Sequence, residues 1–221
     1  DYREMLFRSK GIKGNIGGVI LFDETIRQSS DDGTLLRDII SNQGALPGIK
    51  VDKGLQPIDG CPGETVTVGL EGLNERLNEY SSMGAKFTKW RAVINIGDGI
   101  PTDKCIDANM EALADYAKCA QDNGMVPIVE PEVLMDGDHS IDECYAASVR
   151  SLKSLFEHLN NKDVNIKGTL LKPNMVTSGK GSSNQAGIDE VAKKTLDCLI
   201  SNVPTELPGI TFLSGGQSDV M

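Results

Sequence analysis

Six short apolar segments recur along this sequence, and their spacing constrains the fold more than any other feature. Each is rich in β-branched or large apolar residues, as buried strands are. They lie at residues 18–22, 48–51, 87–93, 126–129, 169–171 and 210–213, and successive segments begin about 30 to 43 residues apart. This is the length that a strand, a crossover helix and the next parallel strand require.

Longer segments with helical periodicity fill most of the gaps between the predicted strands. They cover residues 70–83, 104–122, 141–160 and 188–202. Because strands and helices alternate, the sequence predicts an α/β fold in which helices cover a parallel sheet. The length of 221 residues is within the range of one domain, so we expect residues 1–221 to form a single domain.

This alternation fits both a doubly wound sheet and a (β/α) barrel. A doubly wound nucleotide-binding sheet normally has a glycine-rich phosphate turn after its first strand. Here Asp23-Glu24-Thr25 follows that strand, and its carboxylates would repel a pyrophosphate. The segment at 178–182 resembles a phosphate-binding loop, but Asn174 and Gly181 stand where that motif needs glycine and serine or threonine. We expect this segment to be a mobile surface loop.

The chain is acidic, with 22 lysines and arginines, 32 aspartates and glutamates, and a net charge of −10. Without a basic cluster it is a poor nucleic-acid binder, because phosphate neutralisation supplies most of that affinity. No apolar run reaches the roughly 18 residues of a membrane-spanning helix, and the first residues lack a signal-peptide pattern. Five widely spaced cysteines indicate free thiols in a reducing compartment. We therefore expect a cytoplasmic protein without nucleic-acid or membrane partners.

Few residues are available to bind a metal. With two histidines, His139 and His158, the chain cannot form a three-histidine zinc site. The acidic stretch at 136–143 lacks the glycine and glutamate positions of an EF-hand calcium loop. Within it, Ser140 and Glu143 have the spacing of a capping box that begins a helix. We expect no metal cofactor.

Polar side chains of chemically demanding types stand at the ends of the predicted strands. They are Lys50, Lys89, Arg91, Glu130, Lys172 and Ser214. The carboxyl ends of parallel strands lie at one edge, where a (β/α) barrel builds its active site. Side chains alternate along a strand, so Lys89 and Arg91 should lie on one face. A single strand-end charge would simply reach solvent, but five strands in succession favour a shared site in a (β/α) barrel.

The lysines and the glutamate predict imine chemistry. A lysine that is partly desolvated among other cations has a lowered pKa, and its neutral amine can attack a carbonyl carbon. The resulting carbinolamine must lose its hydroxyl as water, and Glu130 can supply the proton. Burial of Lys89, Arg91 and Lys172 together also needs Glu130 and Glu132 as partners.

Five segments of the sequence resemble class I fructose-bisphosphate aldolases, and the resemblance extends from Tyr2 to Asp219. They are Gly-Ile-Lys-Val-Asp-Lys-Gly at 48–54, Lys-Trp-Arg at 89–91, Val-Glu-Pro-Glu at 129–132, Gly-Thr-Leu-Leu-Lys-Pro-Asn-Met at 168–175 and Leu-Ser-Gly-Gly-Gln-Ser at 213–218. The family fold is an eight-stranded (β/α) barrel. The resemblance implies metal-free, reversible cleavage of fructose 1,6-bisphosphate to glycerone phosphate and glyceraldehyde 3-phosphate, in glycolysis and gluconeogenesis, by a homotetramer.

The resemblance also implies a role for each candidate site residue. Lys172 would form the Schiff base, and Glu130 would be the acid and base for dehydration of the carbinolamine. Lys89 would assist imine formation, and Glu132 would orient the lysines. The residues that would bind the substrate are Lys50 and Arg91 near its distal phosphate, and Ser214, Gly215 and Gly216 at the phosphate next to the ketone.

The sequence also departs from the family pattern, since we predict six strands where the family has eight. By resemblance, the aspartate that abstracts a proton during carbon–carbon cleavage would precede Asp1. A phosphate-binding arginine and a tyrosine-bearing tail would follow Met221. We therefore expect this chain to be part of a longer protein and to be inactive alone. Two alternatives stay open: a catalytically silent interaction protein, and an imine-forming lyase for another sugar phosphate or a keto acid.

Overall fold

The computed structural model describes residues 2–213. The helices in this range are α1 (Tyr2–Phe7), α2 (Asp23–Arg27), α3 (Leu36–Asn42), α4 (Leu73–Ser82), α5 (Asp103–Asp122), α6 (Ile141–Asn161) and α7 (Ile188–Asn202). The strands are β1 (Gly18–Leu21), β2 (Leu46–Lys50), β3 (Leu55–Ile58), β4 (Cys61–Thr67), β5 (Phe87–Ile94), β6 (Val126–Val133) and β7 (Leu170–Leu171). Helices α4 to α7 are the four predicted helices, so the predicted α/β class is confirmed.

Five strands form one parallel sheet in the order β1-β2-β5-β6-β7. The strand predicted at 210–213 is present only as a parallel bridge between Leu171 and Ile210. A sixth full strand at this position was therefore a wrong prediction for the described residues. The neighbouring strand, β7, has only two residues, so it offers little backbone with which a further strand could pair.

An antiparallel hairpin, β3 and β4, interrupts the strand–helix alternation between β2 and α4. Its two-residue turn is Asp59-Gly60, and Gly60 has a φ of 77°, in the left-handed region that such turns require. This hairpin contains no buried apolar run in its first strand, since β3 is mostly exposed, and the apolar segments of the sequence do not predict it. The Asp-Gly pair between two extended segments is the signal that could have identified it.

The two faces of β5 have different neighbours. Thr88 and Trp90 face α5, where the Tyr116 hydroxyl lies 2.7 Å from Thr88 Oγ1 and the Tyr116 ring stacks 5.4 Å from that of Trp90. All three side chains are buried. Because side chains alternate along a strand, Lys89 and Arg91 lie on the opposite face, as the sequence predicts.

The start of α6 has the predicted capping box. Ser140 Oγ accepts the backbone N–H of Glu143 at 3.3 Å, and the Glu143 carboxylate accepts the backbone N–H of Ser140 at 2.7 Å. Two of the N–H groups at the start of the helix are therefore satisfied.

The segment at 178–182 is a loop that begins packed against the fold and exposes its tip, Lys180 and Gly181, at the surface. Backbone N–H groups of Gly179, Lys180 and Gly181 donate to carbonyls of the 135–139 loop at 2.7 to 2.8 Å. Ser178 is buried. A Cβ at Gly179 would lie 2.4 Å from the Gly137 carbonyl oxygen, so glycine allows this close approach. The predicted surface loop is therefore present, and its backbone hydrogen bonds join it to the 135–139 loop.

Candidate active site

Three lysines and a glutamate from four adjacent strands meet on the sheet face opposite α5. Lys50 ends β2, Lys89 lies in β5, Glu130 lies in β6 and Lys172 directly follows β7. The parallel register pairs Lys50 with Lys89, and the Lys172 N–H donates to the Val129 carbonyl at 2.8 Å. Residues remote in sequence are therefore brought into one cluster.

Strand β6 is longer than the sequence predicts, and this changes where its glutamates lie relative to the end of the strand. It continues to Val133 because it pairs with β5 as far as Ile94. Glu130 and Glu132 therefore lie inside the strand instead of following it. Their separation of two residues directs both side chains to the same face as Lys89.

Glu130 bridges two of the lysines. The Lys172 ammonium donates a hydrogen bond to Glu130 Oε1, and the Lys89 ammonium lies 3.1 Å from Oε2. The Glu130 side chain is 5% exposed, and those of Lys89 and Lys172 are 11% and 21% exposed. Charges so far from bulk water need close partners of opposite sign. The predicted pairing of Glu130 with Lys89 and Lys172 is observed.

Asp52 is a second carboxylate in the cluster, and the strand-end pattern does not identify it. Asp52 Oδ1 lies 2.5 Å from Lys50 Nζ, and Oδ2 lies 3.6 Å from Lys89 Nζ. The Asp52 side chain is 6% exposed. Its sequence signal is its position two residues after Lys50, where alternation favours one shared face.

Arg91 and Glu132 form a separate ion pair beside the lysines. The Arg91 Nε donates to Glu132 Oε2. This hydrogen bond raises the pKa of Arg91, against the opposing effect of partial burial. The resemblance implied that Glu132 orients lysines, whereas its ion pair here is with an arginine. Arg91 is 40% exposed, so its guanidinium is charged and accessible to an anion.

The cluster has a net positive charge although the chain is acidic. The three ammonium groups and the carboxylates of Asp52 and Glu130 sum to +1, and Arg91 and Glu132 neutralise each other. The site can therefore attract an anion against the field of the whole chain. An amine hydrogen-bonded to a carboxylate also has the groups needed to form an imine with a carbonyl compound.

Ser214, Gly215 and Gly216, predicted to bind a phosphate, lie outside the described residues. Within residues 2–213, no three His, Cys, Asp or Glu side chains are grouped so that they could hold a metal ion. In that same range, no helix has both the length and the apolar character needed to cross a membrane.

Comparisons with known proteins agree with these features. A family model described as "Fructose-bisphosphate aldolase class-I" matches residues 1–221. The "Probable fructose-bisphosphate aldolase class 1" of Xanthomonas campestris is 55% identical over 218 residues, which are 99% of this chain and 65% of that protein. "Fructose-bisphosphate aldolase 4, cytosolic" of Arabidopsis thaliana is 46% identical over 217 residues, which are 98% of this chain and 55% of that protein. The chain thus spans less than two thirds of the length of these relatives.

A solved structure has the same fold. The fructose-bisphosphate aldolase of Plasmodium falciparum, in a ternary complex with TRAP and a small-molecule inhibitor, matches with a TM-score of 0.95 and 44% identity, over 98% of this chain and 63% of that chain. The predicted fold class, part of a (β/α) barrel, is therefore confirmed. With a family match over its whole length and relatives at this identity, the chain belongs to the class I fructose-bisphosphate aldolase family.

Proposed function

We propose that the complete gene product is a Schiff-base-forming aldolase that reversibly cleaves fructose 1,6-bisphosphate to glycerone phosphate and glyceraldehyde 3-phosphate without a metal. The observation that carries this proposal is the position of Glu130 between Lys172 and Lys89. A nucleophilic amine, a proton-transfer group and a second cation are thereby in contact. Family membership supports the choice of substrate.

Lys172 is the proposed nucleophile. Its ammonium first gives a proton to the Glu130 carboxylate, with which it is in hydrogen-bond contact. The neutral Nζ then attacks the ketone carbon, and the former carbonyl oxygen takes a proton from that nitrogen to become a hydroxyl. Glu130 returns its proton to this hydroxyl, which leaves as water. The products are a protonated imine and an ionised Glu130.

The protonated imine weakens the neighbouring carbon–carbon bond. Its positive charge accepts the electron pair of the bond between the third and fourth sugar carbons as that bond breaks, which leaves an enamine on Lys172. The aldehyde product forms when the fourth carbon's hydroxyl loses its proton. We assign this proton removal to none of residues 2–213.

The other charged residues are proposed to position the substrate. Lys89 assists imine formation through its contact with Glu130. Lys50 and the accessible Arg91 help to place the distal phosphate of the substrate, and Glu132 orients the cations of the site through its ion pair with Arg91. Ser214, Gly215 and Gly216 are proposed to bind the phosphate next to the ketone, because backbone N–H groups at glycines can approach an anion closely.

We also propose the setting in which this protein acts. Residues 1–221 belong to one domain of a longer chain, which assembles as a homotetramer by analogy with the family. A cytoplasmic location is supported by the free cysteines and by the Arabidopsis relative that is described as cytosolic. The partner is a small phosphorylated sugar rather than a nucleic acid or a membrane.

Cleavage assays on the complete gene product test this proposal. We expect the kcat/KM for cleavage of fructose 1,6-bisphosphate to be higher than that for fructose 1-phosphate. We also expect EDTA to leave this activity unchanged. Activity that EDTA abolishes would contradict the metal-free mechanism. A preference for another sugar phosphate or a keto acid would retain the imine and change the substrate. Absence of cleavage with all of these compounds would support a non-catalytic role.

A further inference from the structure

Asp52 lies where the chain leaves the parallel sheet. The Val51 N–H still donates to the Lys89 carbonyl, at 3.1 Å, and so extends the pairing of β2 with β5. One residue beyond Asp52, the Lys53 N–H donates instead to Val68, at 2.8 Å, beside the β3–β4 hairpin. Asp52 is therefore the residue at which the chain changes partners.

The Asp52 carboxylate takes the place of a backbone acceptor in the sheet. A continued parallel ladder would have the Arg91 N–H donate to the Val51 carbonyl, but that carbonyl accepts from the Arg76 guanidinium at 3.0 Å. The Arg91 N–H lies 3.4 Å from Asp52 Oδ2 instead. The carboxylate is thus fixed against β5, two residues from Lys89.

Fixed in this way, Asp52 contacts two of the three lysines of the cluster, Lys50 and Lys89. Lys50 Nζ lies 2.5 Å from Asp52 Oδ1 and 5.6 Å from the centroid of the Phe22 ring. Lys89 Nζ lies between two carboxylates, 3.6 Å from Asp52 Oδ2 and 3.1 Å from Glu130 Oε2. Asp52 and Glu130 therefore define the position of the Lys89 ammonium together.

We propose that Asp52 is a positioning residue for imine formation, which holds the Lys89 ammonium beside Glu130 and keeps Lys50 at the edge of the site. This inference rests on the proposed function and deepens it. A charged side chain with two ion-pair partners has less freedom than one with a single partner, and reaction rates are sensitive to such placement. Asp52 acts through Lys89 rather than on the substrate.

The charge of the cluster gives this role a distinctive kinetic signature. Asp52→Asn changes the sum of the charges on Lys50, Lys89, Lys172, residue 52 and Glu130 from +1 to +2. A more positive site attracts a bisphosphate at least as well. The variant should therefore have an unchanged or lower KM and a lower kcat. A general loss of site structure would raise KM instead.

Three substitutions at position 52 distinguish the effect of its negative charge from the effect of its hydrogen bond with the Arg91 N–H. Asp52→Asn keeps an oxygen that can accept the Arg91 N–H and removes the charge. Asp52→Ala removes both, whereas Asp52→Glu keeps the charge. The matched control is Asp197→Asn, which removes an exposed carboxylate that pairs with Lys193 on the surface of α7.

The experiment measures borohydride trapping of the imine formed with glycerone phosphate, kcat and KM for fructose 1,6-bisphosphate, and thermal unfolding, all in the complete gene product. We expect Asp52→Asn to melt somewhat earlier than the wild type, because Lys50 and Lys89 lose a counter-charge. Below that temperature it should form the trapped adduct about 10- to 100-fold more slowly, as loss of one charged hydrogen-bonding partner predicts. Asp52→Glu should recover part of this rate. Asp52→Ala should also melt earlier, and Asp197→Asn should match the wild type.

The outcomes distinguish this inference from the proposed function. If the wild type forms no adduct, the proposed function fails and the role of Asp52 fails with it. If the wild type forms an adduct and Asp52→Asn forms it equally fast, only the role of Asp52 is overturned. Trapping by Asp52→Asn is measured below the melting temperature of the variant. A wild-type trapping rate under these conditions would overturn the role of Asp52. A raised KM with a normal kcat would overturn it as well.

Discussion

Lys172 and Glu130 are 42 residues apart in sequence, yet the Lys172 ammonium donates directly to the Glu130 carboxylate. The contact follows from topology, because Glu130 lies in β6 and Lys172 directly follows the neighbouring strand β7. Glu130 also contacts Lys89. A buried carboxylate destabilises the folded protein unless cations beside it compensate its charge, and here Lys172 and Lys89 do so. The proposed chemistry uses this arrangement, since the same carboxylate can take and return the proton that imine formation requires.

Replacement of Lys172 by arginine should abolish cleavage and leave the fold intact. Arginine keeps the positive charge beside Glu130, but its guanidinium is not a nucleophilic amine near neutral pH. We expect no detectable borohydride adduct and a melting temperature close to that of the wild type. Cleavage at the wild-type rate would show that Lys172 is a structural cation.

Replacement of Glu130 by glutamine should slow imine formation by about 100-fold or more, the usual contribution of general acid–base catalysis. It should also lower the melting temperature, because Lys89 and Lys172 are largely buried and lose their shared counter-charge. Glu132→Gln on the same strand is the control. It affects the more exposed Arg91 and should raise KM while trapping stays close to normal. Equal trapping rates in the two variants would contradict the assignment of Glu130.

The capping box of α6 makes a prediction about stability alone. Ser140→Ala removes the side-chain acceptor for the Glu143 N–H and should cost about 1 kcal/mol of unfolding free energy. Urea unfolding of the variant measures this loss. Ser154→Ala, within the same helix, is not expected to destabilise. Equal stability of the two variants would show that the capping box contributes little.

Burial of Cys105 predicts a loss of stability at high pH. Burial, with a smaller contribution from Glu64, raises the pKa of this thiol from 9.0 to about 12. Above pH 9 the unfolded thiol ionises while the folded one stays protonated, so rising pH favours unfolding up to about pH 12. The slope from this group is at most about 1.4 kcal/mol per pH unit.

Urea unfolding of the wild type and of Cys105→Ala near neutral pH and between pH 9 and 12 isolates this contribution. The substitution changes core packing by a constant amount, whereas the thiol term grows with pH. The stability of the wild type should therefore fall more steeply than that of the variant. Parallel curves would contradict the assignment.

The long helices and the site face could be predicted from sequence, and the short helices could not. Helices α4 to α7 have 10 to 21 residues, so apolar residues repeat at helical spacing over several turns. Helices α1, α2 and α3 have 5 to 7 residues, too few for that pattern to be distinct. Lys89 and Arg91 could be assigned to one face because strand alternation depends on the local backbone alone.

The partners of the charged residues depend on tertiary structure, and here the sequence was less informative. Arg91 is directly opposite Glu130 in the strand register, yet its side chain reaches along β6 to Glu132. Asp52 lies just beyond the end of β2, and its place is set by the hydrogen bond to Arg91 and by the exit of the chain towards the hairpin. Spacing favours one face for Lys50 and Asp52, but neither the hydrogen bond of Asp52 to Arg91 nor the choice of Glu132 by Arg91 follows from it.

Mapping the site of covalent attachment tests the central claim most directly. The complete gene product is incubated with glycerone phosphate, reduced with borohydride and digested, and the modified peptide is identified by mass spectrometry. We predict one stable secondary amine, on Lys172. Attachment at Lys50 or Lys89, or no covalent adduct with a protein that nevertheless cleaves the sugar, would contradict it.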